Sequence, residues 1–163
     1  MDPRQVAEQL IRAFNRKDLN ALQELYDPSC QIIWPGRQAN VDRDLVLNIH
    51  KVIFEGFPDA SLTPFNMIAE GATVVAEVTF WGTHTGTMRF PRGEVPPTGK
   101  IAAYDEATVL RIGGDRVVFQ RYYTDRLDLL LQLGLISPPI WAALEGAPWG
   151  RATSPAGSLP RFE

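Results

Sequence analysis

A 163-residue chain with 45% apolar and 21% charged residues has the make-up of one soluble globular domain, large enough to bury a sizeable core. Its net charge of −3, with both signs interspersed, excludes the basic footprint of a nucleic-acid binder and the polybasic patch of a membrane-surface protein. A lone cysteine, Cys30, and two distant histidines, His50 and His84, exclude an intrachain disulfide and a spaced metal motif. The opening Met-Asp-Pro-Arg-Gln lacks the apolar segment of a secretory signal, and no apolar run is long enough to span a bilayer, which together predict a cytoplasmic address.

Asp2 followed by Pro3 predicts an N-cap and first helical residue, and Val6, Leu10, Ala13 and Phe14 then repeat at helical spacing. Asn15 to Lys17 interrupt that pattern, and Asp18 caps a second short helix carrying Leu19, Leu22 and Leu25. Asp27-Pro28-Ser29 reads as a turn, and Gln31 to Trp34 as a short strand ended by Pro35-Gly36. A third helix is predicted from about Asp42 to Gly56, with Leu45, Val46, Ile49, Val52 and Ile53 on its apolar face. Strands follow at Ser61 to Ala69 and Thr73 to Thr83, and Gly93 to Gly99, with Pro96 and Pro97, is a loop. Lys100 to Ile112 and Val117 to Thr124 form a hairpin around Gly113-Gly114-Asp115. Asp125 to Leu133 is the last clear helix, with Gly134 set to end it. Beyond it lies a Pro/Gly-rich extension, with one docking turn expected at Ile140 to Leu144. The predicted layout is α+β, a curved antiparallel sheet forming a cone-shaped barrel closed by the N-terminal helices, over residues 1–136, followed by the extension 137–163. Such a cone is a natural pocket for a small molecule.

Two groups of residues carry chemistry. Alternation along the last strand puts Phe119, Arg121, Tyr123 and Asp125 on one face. Were that face inward, a carboxylate and a guanidinium would sit among aromatic rings, the setting in which a carboxyl is tuned for general-base work. The alternative role for Asp125 is the N-cap of the helix that follows. In the preceding strand Glu106 shares a face with Tyr104, Thr108, Leu110 and Ile112, more apolar than the face of Asp105 and Arg111, so it would be a second carboxylate in the cone; a register slipped by one residue would bury Asp105 instead.

The order of these elements and of several short words resembles the SnoaL-like polyketide cyclases of the nuclear transport factor 2-like superfamily. The words are Ala13-Phe14-Asn15 with Asp18-Leu19 and Ala21-Leu22, Leu25-Tyr26, Phe57-Pro58-Asp59, Gly82-Thr83-His84-Thr85-Gly86, Pro97-Thr98-Gly99, and Asp125 followed by Leu129-Leu130 and Gln132-Leu133-Gly134. The resemblance spans residues 4–136. It implies a cofactor-independent acid/base enzyme with no metal, in which Asp125 drives an intramolecular aldol-type ring closure of an enolisable, aromatic small molecule. Proximity of the tethered ends would supply up to roughly 7–11 kcal/mol of such a barrier. It also implies a homodimer, formed through an outer sheet face containing Val75, Thr79 and Trp81.

Arg121 departs from the family, which has an aromatic residue or histidine near that point; inward it would bind an enolate oxygen or carboxylate, outward it would pair with an acid on the sheet surface. His84 either orients substrate or bonds a neighbouring loop. Phe14, Tyr26, Trp34 and Tyr123 are candidate pocket walls, along with Phe65, Met67 and Phe80, and Phe90 to Pro97 is a candidate lid. The competing readings are an epoxide hydrolase built from Arg121, Asp125 and Glu106, an isomerase or dehydratase, and a non-catalytic small-molecule-binding module.

Overall fold

The computed structural model describes residues 1–35 and 40–136. Helix α1 (Pro3–Asn15) opens with a capping box, in which the Asp2 carboxylate accepts from the Arg4 amide and the Gln5 side chain accepts from the Asp2 amide. Its buried stripe is Val6, Ala7, Leu10, Ile11, Ala13 and Phe14, and each large side chain so buried contributes about 1.5–3 kcal/mol. Lys17, at φ +56°, turns the chain into α2 (Leu19–Leu25), capped by Asp18. Strand β1 (Tyr26–Ile33) leads to α3 (Arg43–Gly56), capped by Asp42.

The remaining elements are β2 (Ser61–Glu70), β3 (Thr73–Thr83), the small hairpin β4 (Met88–Phe90) and β5 (Gly93–Val95), β6 (Ile101–Gly113), β7 (Arg116–Thr124) and α4 (Arg126–Gln132). The large sheet has the order β1-β7-β6-β3-β2. The fold is α+β as expected, but the sheet differs from the expected antiparallel cone. β1 runs parallel to β7, and β1 and β2 are the two unjoined edges, so among the described residues the strands close no barrel. No hairpin links β1 to β7, so nothing local dictates their relative direction.

β1 also starts five residues before the expected strand. Asp27-Pro28-Ser29 keeps its turn chemistry, Asp27 accepting from both the amide and hydroxyl of Ser29, yet it is absorbed into the strand where its register with β7 shifts. Proline, which cannot donate to a ladder, is tolerated here because β1 is an edge; Pro64, beside a second register shift, sits in the opposite edge strand β2. The expected Gly93 to Gly99 loop begins with β5, which pairs with β4 in a small hairpin.

α4 ends at Gly134, whose φ of +68° lets the amides of Gly134 and Leu135 return to Leu131 and Leu130. Gln132 explains part of the C-terminal word: its amide both accepts from the Ala103 N–H and donates to the Ala103 carbonyl, taking the place of β7 beyond that strand's end. Leu133 is buried in the core. No helix among the described residues is long and apolar enough to cross a membrane. The extension 137–163, with its expected turn at Ile140 to Leu144, lies outside the described residues.

Candidate functional site

Between the helices and the inner face of the sheet lies a cavity of about 570 Å³, within the range of small-molecule sites. α1 supplies Leu10, Ile11 and Phe14, α3 supplies Ile49 and His50, and α4 supplies Leu129 and Leu130 to its walls. The sheet supplies its polar groups. The register of β3 with β6 is unbroken, so Val78, Glu106 and Thr124 form one inward row, and Ala76, Thr108 and Tyr122 the next. Asp105 points to the other face, accepting from Thr79 Oγ1 at 2.6 Å.

Glu106 is the carboxylate of this cavity. Burial alone pushes its pKa from 4.5 up to about 7, because an apolar wall disfavours the charged form. Behind it Tyr26, fully buried, donates to Gln120 Oε1 at 2.6 Å, and Gln120 Nε2 donates to Thr108 Oγ1 at 3.0 Å. The Tyr122 hydroxyl lies 3.4 Å from that of Tyr26, and its ring packs on Trp34 at 4.5 Å between centroids. Burial, above all, raises the pKa of both tyrosines, which keeps them neutral donors.

Of the residues singled out in the sequence, Phe14, Tyr26, Trp34, Phe80 and Glu106 line the cavity. Arg121, Tyr123 and Asp125 are exposed and do not. The expected inward face of β7 is its outer face, because Val118 is an extra residue opposite Arg111 and Ile112 and reverses the alternation beyond it. Gln120, Tyr122 and Thr124 take the inner face, while Arg121 reaches the outward Tyr123 hydroxyl at 3.4 Å. Arg121 and Glu106 therefore lie on opposite faces of the sheet, and the hydrolase set of Arg121, Asp125 and Glu106 is not assembled. Phe65 is half-exposed on the edge strand, and Met67 packs in the core rather than along the cavity.

Asp125 is the N-cap of α4, accepting from the Asp128 amide at 3.0 Å. Asp125→Ala is expected to cost about 1 kcal/mol of stability, whereas Asp125→Asn, which can still cap, should leave the melting curve nearly unchanged. Urea denaturation of both variants checks this.

His84 is fully buried outside the cavity, stacked on Phe57 at 5.0 Å. The Thr98 amide donates to its Nδ1, which assigns the proton to Nε2, and its backbone pairs with Lys100 and Gly99. It ties the loop before β6 to the end of β3, the loop-bonding alternative of the two. The Phe90 to Pro97 segment contributes Phe90 and Val95 to the wall of the cavity.

Beyond Gln120, Tyr122 and Thr124, two more polar cavity residues were missed by the sequence reading. His50 falls on the buried stripe of α3, four residues after Val46, against the rings of Phe14 and Phe54. Burial lowers its pKa to about 4, and its Nδ1 has no partner among the described residues. The i, i+4 spacing from Val46 is the signal that would have found it. Arg126, at the start of α4, lines the mouth and donates to the Pro35 carbonyl at 2.8 Å. No group of three or more His, Cys, Asp or Glu side chains suited to a metal occurs among the described residues.

Comparison with known proteins agrees with this fold. Wild-type IdmH of Streptomyces antibioticus, named as a candidate polyketide cyclase, is 28% identical with a TM-score of 0.71, over 82% of this chain and 99% of its own. AclR of Streptomyces galilaeus, named as a candidate hydroxylase, shares the fold at 23% identity and a TM-score of 0.72, over 83% of this chain and 97% of its own. TsrD of Streptomyces laurentii does so at 22% and 0.68, over 82% of this chain and 95% of its own. No curated protein matches. The family model for SnoaL-like polyketide cyclases matches residues 4–133. The chain belongs to the SnoaL-like polyketide cyclase family.

Proposed function

We propose that this protein is a cofactor-independent acid/base enzyme that enolises a ketone-bearing, largely aromatic small molecule and closes a ring by an intramolecular aldol-type reaction, with Glu106 as the base. The observation that carries this reading is a carboxyl, single among the described residues of a cavity otherwise lined largely by apolar and aromatic side chains, with a pKa of about 7. A base half-ionised near neutrality combines a usable ionised fraction with proton affinity well above that of an ordinary carboxylate. The Glu106 carboxylate takes the proton α to the carbonyl, the enolate carbon attacks a tethered carbonyl, and the protonated Glu106 returns its proton to the new alkoxide. The apolar walls exclude bulk water from the enolate.

The test is α-proton exchange of 2-tetralone in D₂O, followed by NMR, with wild type, Glu106→Gln and Asp125→Asn. Loss in Glu106→Gln alone supports the reading. Loss in Asp125→Asn with Glu106→Gln still active would return the base to Asp125, the position the family resemblance favours, and sink the present assignment.

The same reading includes a homodimer through the outer sheet face, where Trp81, Ile101 and Tyr123 are each 42–53% exposed. Light scattering at micromolar concentration is expected to give twice the monomer mass, and Trp81→Glu to give the monomer. A monomeric wild type rejects the dimer.

A further inference from the structure

We infer that Tyr122 donates its hydroxyl proton to the substrate's carbonyl oxygen and holds the negative charge that develops there, which makes the substrate class a neutral ketone or ester rather than a carboxylate. This rests on Glu106 as the base. The argument begins with where each proton of the buried chain goes. Tyr26 gives its only hydroxyl proton to Gln120 at 2.6 Å. Gln120 gives an amide proton to Thr108, and Thr108 gives its own to the Arg121 carbonyl at 3.3 Å. Three donors are thus committed in one direction, away from the Tyr122 hydroxyl. Tyr122 has only the long 3.4 Å approach to Tyr26 as an alternative, a weak bond by the usual geometry of hydroxyl pairs. Among the hydroxyls of this hydrogen-bonded series, that of Tyr122 is the one whose proton is left for a ligand.

Position agrees with that role. Tyr122 sits directly across from Thr108, and Glu106 directly across from Thr124, so Tyr122 and Glu106 are diagonal neighbours on one inward face. Diagonal pairs of this kind are about 7–8 Å apart between Cα atoms, a span that a carbonyl oxygen and its α-hydrogen can bridge through one hydrogen bond at each end. Trp34 packed on the Tyr122 ring fixes its direction, so the donor needs no reorganisation when charge appears. No Lys or Arg side chain contributes to this chain; Arg126, the one cation lining the cavity among the described residues, is tied to Pro35. A ground-state carboxylate bonded to Tyr122 would meet the Glu106 charge with no cation in this hydrogen-bonded series, whereas a neutral carbonyl acquires charge only as Glu106 loses its own.

The experiment compares wild type, Tyr122→Phe and Glu106→Gln, using 2-tetralone exchange for turnover and 2-naphthol, a planar enol mimic, for binding by fluorescence. Thermal melts establish that the variants are folded. Tyr122→Phe is expected to lower kcat for exchange by about 10²-fold, the usual size for one oxyanion donor, with KM changed less than about threefold. The rise of rate with pH, centred near 7, should remain in Tyr122→Phe, because Glu106 is untouched. 2-Naphthol should bind roughly tenfold more weakly to Tyr122→Phe, the size of one lost hydrogen bond. Exchange by Tyr122→Phe at the wild-type kcat, or a loss carried by KM alone, overturns the inference. If Glu106→Gln exchanges as fast as wild type, the base assignment fails by itself. Tyr122 is then judged on 2-naphthol, and equal affinity in wild type and Tyr122→Phe, or no binding to either, overturns it.

Discussion

Glu106→Gln is expected to abolish 2-tetralone exchange and, at pH 8.5, to make the protein more stable. Both effects follow from the same burial. Removing a positioned general base costs roughly 10²–10⁴-fold in rate, and the amide has no proton-accepting form to replace it. In the unfolded chain the carboxyl ionises near its ordinary 4.5, while in the folded protein it holds its proton up to about 7. Between those values the native state binds more protons than the unfolded state, so this group's contribution falls as pH rises through the window. Above pH 7 the full cost is present. The difference corresponds to at most about 3 kcal/mol. Glutamine removes that cost, so the melting temperature of Glu106→Gln should exceed wild type by roughly 5–10 °C at pH 8.5. At pH 4.5 the two should melt close together. A variant that is inactive and equally stable at both pH values would mean that Glu106 is solvated, and the base would lose its tuned pKa.

The helices were legible because their signals are local. Asp2, Asp18, Asp42 and Asp125 each precede an apolar-periodic run, and all four cap the helix they precede. Glu106 was legible as one of two registers because β3 and β6 pair without a shift, so simple alternation holds along the whole strand. The last strand fails for a physical reason at one residue. Val117 faces inward, and counting in twos from it reaches Phe119, Arg121, Tyr123 and Asp125. The bulge at Val118 breaks that count and hands the cavity to Gln120, Tyr122 and Thr124. Both faces carry aromatic residues, so composition gives no warning of the reversal. The parallel pairing of β1 with β7 has no turn to announce it. His50 was passed over because a histidine in an apolar stripe breaks the pattern that defines the stripe, although its spacing obeys it.

His50 and Glu106 are expected to tilt the pH dependence of stability in opposite directions. Burial lowers His50 from 6.5 to about 4. Between those values the unfolded chain takes up a proton that the native state refuses, so stability from this group is present above 6.5 and lost as pH falls toward 4. Glu106 behaves in the reverse sense, regaining stability as pH falls from about 7 to 4.5. Burial is the cause of each shift, and neither group's charge contributes to the other's. Their effects should therefore add. Over pH 5 to 6 each exchanges close to one proton on unfolding, a slope of about 1 kcal/mol per pH unit apiece. In wild type the two slopes oppose. Urea denaturation from pH 4.5 to 7 should show Glu106→Gln losing stability on acidification by about 1 kcal/mol per unit more than wild type. His50→Gln should deviate by the same amount with the opposite sign. The double variant should regain a slope close to that of wild type, and what slope remains includes that of His84, whose pKa burial also lowers. Asp27 and Asp59, held below the ordinary 3.8 by their hydrogen bonds, titrate beneath this window. Parallel profiles for all four proteins would mean that neither group is desolvated on folding, and the carboxyl could not then serve as a base poised near neutrality.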